Sequence, residues 1–410
     1  MPRQKRDLKK ELKQLDYFTL IIMTVLVAYS LISIGNAMAP AAAGDESFWQ
    51  RLWSLRSVSY VRLQAMWFLS GLALMAAVIF AADYSLYAKY IWWPYGIVLI
   101  LLAVLLIMEM TTRGAASWFR VGSERGLQPS EFAKIILIVM LAGMLSRHEG
   151  KITKITQVIL PLMAFAVPFA LILLQPDLGT ALVFIVILAA MLFVAGINWK
   201  LMALGICGAA TAVPLAIQYV LNDDQRARLN GFFGIQTEAE QSVYQLQKSQ
   251  VAIGSGQMHG KGLLAPGSLS QLDYVPDQHT DFIFSAMAEA FGFIGVMILL
   301  ALYVLLLARL IYMAWRVREK TGQLIITGVA AMLAFHIFQN IGMTVGIMPI
   351  TGIPLPFMSY GGSSLWTNMI AVALALNVYS RRDPLVYETK HSGMWGMAYK
   401  PKRDKYSLGM

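Results

Sequence analysis

Ten apolar stretches, each close to the length of a bilayer-crossing helix, punctuate this 410-residue chain. They lie near 17–34, 63–82, 90–108, 131–147, 158–174, 180–197, 201–221, 282–312, 324–348 and 365–379. A helix needs roughly 20 mainly apolar residues to cross the hydrocarbon core. In lipid the backbone must satisfy its own hydrogen bonds, which leaves helices as the spanning element for runs of this kind. Composition agrees, with 58% of residues hydrophobic and 14% charged, against about 25% charged in soluble domains. The expected architecture is an all-α polytopic membrane protein with ten transmembrane helices.

The net charge of +10 raises nucleic acid or anionic lipid as partners, and its distribution decides between them. With the N-terminus inside, cytoplasmic segments hold 22 Lys and Arg and external loops hold 10, the bias of the positive-inside rule. Both termini are then cytoplasmic, and nucleic acid has no place. The expected organisation is a basic tail (1–16), a membrane domain (17–379) whose large extracellular loop (222–281) joins helices seven and eight, and a second basic tail (380–410). Ala37-Met38-Ala39 resembles a signal-cleavage site, but the preceding run is long and Pro40 follows, so an uncleaved anchor is expected. The single Cys207 excludes an intrachain disulfide or a cysteine metal cluster and reads as a packed, inert thiol.

Phe48, Trp49, Leu52 and Trp53 repeat at helical spacing beside Arg51 and Arg56. They fit a short interfacial helix or a Trp belt flanking the second span. Residues 174–180 allow only a tight turn. In 222–281 the first half suits short amphipathic helices, and the second, with Gly254, Gly256, Gly260 and Gly262, reads as irregular; these glycines match neither nucleotide-binding fingerprint. Residues 351–364, with two prolines and two glycines in apolar surroundings, read as a segment dipping into the membrane against protein or water.

Spans four, six and eight point their N-termini outward in this topology, and each carries an acid there: Glu131, Asp177 and Asp281. The three acids, with nearby arginines, fit one external polar cavity. Helix capping and first-turn placement account for each acid equally well, and Glu131 with Lys134 is also an i,i+3 pair. His336, Gln339 and Asn340 read as interhelical hydrogen-bonding groups, and Glu289 as either a buried partner or a cavity lining. No His/Glu pattern has metal-ligand spacing.

Six segments then stand together in order: RGAASWFRVG (113–122), LQPSEFAK (127–134), LQPDLGTA (174–181), AIGSGQMHGKGL (252–263), YVPDQHTDFIF (274–284) and GIPLPFMSYGGSS (352–364). They resemble the SEDS family of polytopic peptidoglycan polymerases, and Pro354-Leu355-Pro356-Phe357 is similar to its RodA-type elongation branch. The resemblance implies a peptidoglycan glycosyltransferase that polymerises lipid II, an undecaprenyl-pyrophosphoryl disaccharide-peptide, into β-1,4 glycan at the outer face of the cytoplasmic membrane. It implies a class B penicillin-binding protein as transpeptidase partner, alongside membrane lipids. It puts the catalytic acid on Asp281 and cavity roles on Glu131, Lys134, Asp177, His279 and Ser359. Arg113 and Arg120 are the expected pyrophosphate contacts. A divalent cation, Mg or Mn, is the candidate cofactor, with its ligands unknown. The rival readings are a lipid II flippase and a scaffold for cell-wall synthases; against the first, the two halves show neither an inverted repeat nor matched broken helices.

Overall fold

The computed structural model describes residues 12–40, 54–112, 119–121, 124–148, 152–219, 221, 223–232 and 240–382. Helices occupy every apolar stretch expected from the sequence: α1 Tyr17–Met38, α2 Leu55–Phe80, α3 Tyr84–Tyr90 with α4 Trp92–Thr112, α5 Pro129–Leu145, α6 Thr156–Leu174, α7 Leu178–Ala195, α8 Trp199–Tyr219, α11 Ile283–Arg316, α12 Lys320–Val345 and α13 Gly362–Ser380. α9 Asp223–Phe232 and α10 Glu240–Ser255 are the short helices expected in the first half of the large loop. The interfacial segment at residues 48–53 and the tails 1–11 and 383–410 lie outside the described residues.

Six of these helices are long and apolar enough to cross a membrane, α1, α2, α6, α7, α11 and α12, and a seventh span forms if α3 and α4 are taken together. That pair is bent by 57°, and α3 lies ahead of the stretch 90–108 expected to span. Asp83 caps α3 by accepting from Ser85 N at 2.8 Å, and Pro94 enters the first turn of α4, where its missing N–H costs nothing. The other helices fall short for local reasons. α5 has 17 residues and carries Glu131 and Lys134. α13 has 19 and carries buried Thr367, Asn368 and Asn377. In α8 the apolar part is Trp199–Thr211.

The bundle centres on α12, which packs against α5, α7, α11 and α13, while α13 packs along α2. The outer faces expose Trp93, Ile100, Ile107, Phe193 and Val304, an apolar surface that water does not tolerate on this scale and that suits a hydrocarbon surround. Cys207 belongs to such a surface. It is exposed on α8, contrary to the packed thiol expected, because α8 stands at the bundle's edge with Leu204 and Ile206 facing outward.

The chain also forms a small antiparallel hairpin, β1 Phe119–Val121 with β2 Glu124–Leu127, where an all-α reading expected only a loop. β2 leads directly into α5, so the hairpin fixes how the chain enters that helix.

Candidate active site at the mouth of α11

α11 is broken near its N-terminal end. Gly292 has φ 64° and ψ −166°, a conformation open essentially only to glycine. The break releases backbone groups, and the glycine-rich stretch 256–262 takes them up. Lys261 N and Gly262 N donate to Glu289 O and Ala290 O at 2.9 and 3.0 Å, and Phe293 N and Ile294 N donate to Gln257 O and Met258 O at 2.8 and 3.1 Å. Backbone lies on backbone: a Cβ on Gly260 would sit 2.2 Å from Ala290 O, and one on Gly256 2.1 Å from Ala288 O. Gly256 and Gly260 are therefore the docking points of this motif.

Glu289 settles as a buried partner. One carboxylate oxygen accepts from Lys261 Nζ at 2.7 Å and Leu269 N at 2.7 Å; the other accepts from Ser270 N at 2.9 Å and from the Ser270 hydroxyl. It ties the irregular stretch 261–270 to the N-terminal part of α11.

Asp281 stands where this loop enters α11. The N-cap is Phe282, with no side-chain cap hydrogen bond, and the Thr280 hydroxyl donates to Asp277 O at 3.2 Å. The Thr280 hydroxyl thus bonds back into the loop. The Asp281 backbone is held from α12: Asn340 Nδ2 donates to Asp281 O at 2.9 Å. The flanking residues are held likewise, with Ser359 Oγ donating to Thr280 O at 2.7 Å and Tyr360 N to His279 O at 2.9 Å. The His279 ring sits in an aromatic group with Tyr60 and Tyr360, at centroid distances of 5.1 and 5.6 Å, and Trp67 lies 5.0 Å from Tyr360.

The partner of this loop is the stretch 349–361, which has no regular secondary structure yet buries Ile353, Leu355, Phe357 and Met358. Its carbonyls would be costly there without donors, and side chains from four helices supply them. Ser30 on α1 donates to Met358 O at 2.6 Å, Gln64 on α2 to Ser359 O at 3.2 Å, Tyr303 on α11 to Pro356 O at 2.7 Å, and Asn340 on α12 to Ile353 O at 2.7 Å. Protein groups thus hold the irregular segment that the sequence reading expects to dip into the membrane. Ser359, besides donating to Thr280 O, accepts from Leu355 N at 2.7 Å, so its hydroxyl braces the segment from both sides.

Asp177 caps α7, accepting from Thr180 N at 3.0 Å, and its second oxygen accepts from Gln128 Nε2 and Ser130 Oγ, each at 3.4 Å. It thereby joins the N-terminal ends of α5 and α7. A Cβ on Gly179 would meet Thr351 O at 3.0 Å, and one on Gly352 would meet Asp281 Oδ2 at 3.4 Å. Residues 351–353 thus lie between the start of α7 and the Asp281 carboxylate. Glu131 and Lys134 form the expected i,i+3 pair at 2.6 Å, buried on both sides, and Lys134 Nζ also lies 2.9 Å from His336 Nε2 on α12. Glu131 Oε2 and His336 Nδ1 have no partner among the described residues. His336, Gln339 and Asn340 bond between elements as expected. Arg113 lies outside the described residues, and of Arg120 the structure describes only the backbone, paired with Arg125 in the hairpin.

Sequence reasoning missed Ser30, Tyr60, Gln64, Trp67 and Tyr303, all but Tyr60 inside apolar runs. Gln64 alone carried a usable signal, as an amide at the start of a span. A cavity of about 550 Å³ lies between α1, α2 and residues 263–264. Its walls are apolar apart from Arg62 and a few small polar groups, and none of the expected site residues lines it. Among the described residues no three His, Cys, Asp or Glu side chains converge on a metal-sized site. Chemically, the site offers one carboxylate at a rigid junction of two irregular segments, with an aromatic wall at His279.

Comparison with known proteins agrees with this architecture. The chain is 32% identical over 373 residues to the peptidoglycan glycosyltransferase MrdB of Escherichia coli K12, covering 90% of this chain and 95% of that one. It is 34% identical over 368 residues to the probable peptidoglycan glycosyltransferase FtsW of Thiomicrospira cyclica, covering 86% and 90%. Among solved structures, a chain of a peptidoglycan synthase complex that coordinates polymerization and crosslinking superposes with TM-score 0.71 at 31% identity, covering 90% of this chain and 98% of that one. The rod shape determining protein RodA of Thermus thermophilus superposes with TM-score 0.62 at 28% identity, covering 90% and 97%. The FtsW/RodA/SpoVE cell cycle protein model matches residues 17–383, and the chain belongs to that family.

Proposed function

We propose that this protein is a peptidoglycan glycosyltransferase that polymerises lipid II into β-1,4 glycan at the outer face of the cytoplasmic membrane. The observation that carries the reading is the 32% identity to MrdB across 90% of the chain. We extend it to ten membrane crossings, with both terminal tails cytoplasmic and residues 222–281 outside. The charge bias and the helix found at every apolar stretch support that topology.

Asp281 is the general base. The attacking 4-hydroxyl of GlcNAc is a poor nucleophile, and a positioned carboxylate contributes about 10²–10⁴-fold to such a step. Asp281 takes the hydroxyl proton as the oxygen attacks the anomeric carbon of MurNAc with inversion, and the pyrophosphate leaves with the bonding pair. One carboxylate is enough because pyrophosphate needs charge neutralisation more than a proton; glycosidases need two. Glu131, Lys134, Asp177, His279 and Ser359 shape the cavity, the first three by joining α5, α7 and α12, and Arg113 and Arg120 meet the pyrophosphate. A divalent cation, Mg or Mn, would find no protein cage among the described residues; pyrophosphate oxygens with one or two carboxylates are the usual magnesium environment. The partner is a class B penicillin-binding protein and the setting is elongation, supported by the likeness to a synthase complex and to RodA.

The test is polymerisation of lipid II by the protein purified with its transpeptidase, comparing wild type with Asp281→Asn. Polymer from wild type and none from the variant is the expected result. Polymer surviving in the variant would sink the base assignment. Absence of polymer from wild type, with Asp281-dependent passage of lipid II across liposomes, would favour a flippase. Chelator added to the wild-type reaction tests the cation.

A further inference from the structure

We propose that Asn340 is a positioning residue that sets where the Asp281 carboxylate stands. The inference rests on Asp281 being the base. Asn340 is fully buried on α12, and its Nδ2 donates to two carbonyls, Asp281 O at 2.9 Å and Ile353 O at 2.7 Å. The two acceptors come from separate elements, the loop before α11 and the dipping segment. The amide orientation is dictated by its neighbours, since an amide oxygen turned toward two carbonyls would face only acceptors. Its Oδ1 points elsewhere and has no partner among the described residues.

One nitrogen thus fixes the distance between the Asp281 backbone and the 351–353 segment. That segment is the near neighbour of the carboxylate, because a Cβ on Gly352 would lie 3.4 Å from Asp281 Oδ2. The Asp281 backbone is held by this bond from α12, so where its carboxylate stands depends on that contact. The adjacent Gln339 makes a parallel set of bonds, to Pro349 O and Thr351 Oγ1, both at 3.0 Å. Those bonds hold the same segment, but both acceptors lie on it and neither on the Asp281 loop. Gln339 is therefore the built-in control for a merely structural role. A general base must sit within hydrogen-bond reach of its proton, and a misplacement of about 1 Å costs on the order of 10²-fold in rate.

The test measures lipid II polymerisation and thermal unfolding of the complex with the transpeptidase for wild type, Asn340→Leu, Asn340→Ser, Gln339→Met and Asp281→Asn. Asn340→Leu is expected to lower kcat by about 10–100-fold with KM changed less than about threefold. Asn340→Ser, which keeps one donor, falls between it and wild type and covers the case in which the leucine variant does not fold. Gln339→Met is expected to lower the unfolding temperature comparably while keeping kcat within about threefold of wild type. Equal kcat losses in the Asn340 and Gln339 variants, a loss carried by KM alone, or full activity in both Asn340 variants would each overturn the proposal. Asp281→Asn separates the two assignments: an active variant refutes the base, whereas an inactive one beside an unaffected Asn340 variant refutes only the positioning role.

Discussion

Lys134 Nζ lies 2.6 Å from a Glu131 carboxylate oxygen and 2.9 Å from His336 Nε2, with all three side chains buried. An ammonium has only hydrogens to offer, so Nε2 accepts and the imidazole proton sits on Nδ1. The contact binds α5 to α12 and so braces the helix that carries Asn340. Lys134→Met strands a buried carboxylate and is expected to cost about 3–5 kcal/mol. The double variant Lys134→Met/Glu131→Gln is expected to recover part of that loss. Thermal unfolding in detergent reads both, and a single variant as stable as wild type would contradict a charged buried pair.

Gly292 and Gly260 touch through their backbones, and a Cβ on Gly292 would lie 2.2 Å from Gly260 N. Gly292→Ala combines that collision with a left-handed φ, and is expected to destabilise by about 3 kcal/mol or more. Gly254→Ala is the control. It sits in α10 with nothing within 4 Å of its Cβ, so it should be neutral or stabilising by up to about 1 kcal/mol. Unfolding midpoints of the two variants should move in opposite directions or leave only Gly292→Ala displaced.

Glu289 gathers Lys261, Leu269 N and Ser270 around one carboxylate. Hydrogen bonds to a charged acceptor are worth about 1.5–3 kcal/mol each, and Glu289→Gln keeps the shape while removing the charge and turning an acceptor into a donor. The expected outcome is loosening of residues 261–270, read as faster proteolytic cleavage there, while the helices stay intact. Cleavage at the wild-type rate would refute the clamp.

Asp16 caps α1 and accepts from Arg309, with Nη2 at 2.6 Å. Burial raises its carboxyl, but hydrogen bonds from Arg309 and Thr19 and the Arg309 charge outweigh burial and hold it below the usual value of 3.8. A depressed folded pKa contributes stability that is present above the unfolded pKa and is lost as pH falls through the folded one. Wild type should therefore exceed Asp16→Asn in unfolding temperature at neutral pH, and the gap should shrink below about pH 4. A constant gap across that window would show that Asp16 is not ionised in the fold.

The likeness to solved relatives bears out the reading of a helical membrane bundle, and the structure bears out an irregular segment at 351–361 and the i,i+3 pair. These were legible because apolar run length, proline and glycine content and helical spacing are local properties. The packed Cys207 was wrong because periodicity does not say which helix stands at the edge of a bundle. The β1–β2 hairpin and the bend before α4 escaped because their strands and helix are too short to carry a pattern.

Asp281, Glu131 and Asp177 were visible as acids at the N-terminal ends of their helices, from the apolar runs alone. Whether each was a cap lay beyond the sequence, since a cap is a matter of one hydrogen bond. The structure makes Asp177 a cap, Glu131 the partner of Lys134, and gives the Asp281 carbonyl a bond from Asn340. Asn340 shows the reason. Its two acceptors lie 59 and 13 residues away, and only the packing of α12 against the loop and the dipping segment brings them to one nitrogen.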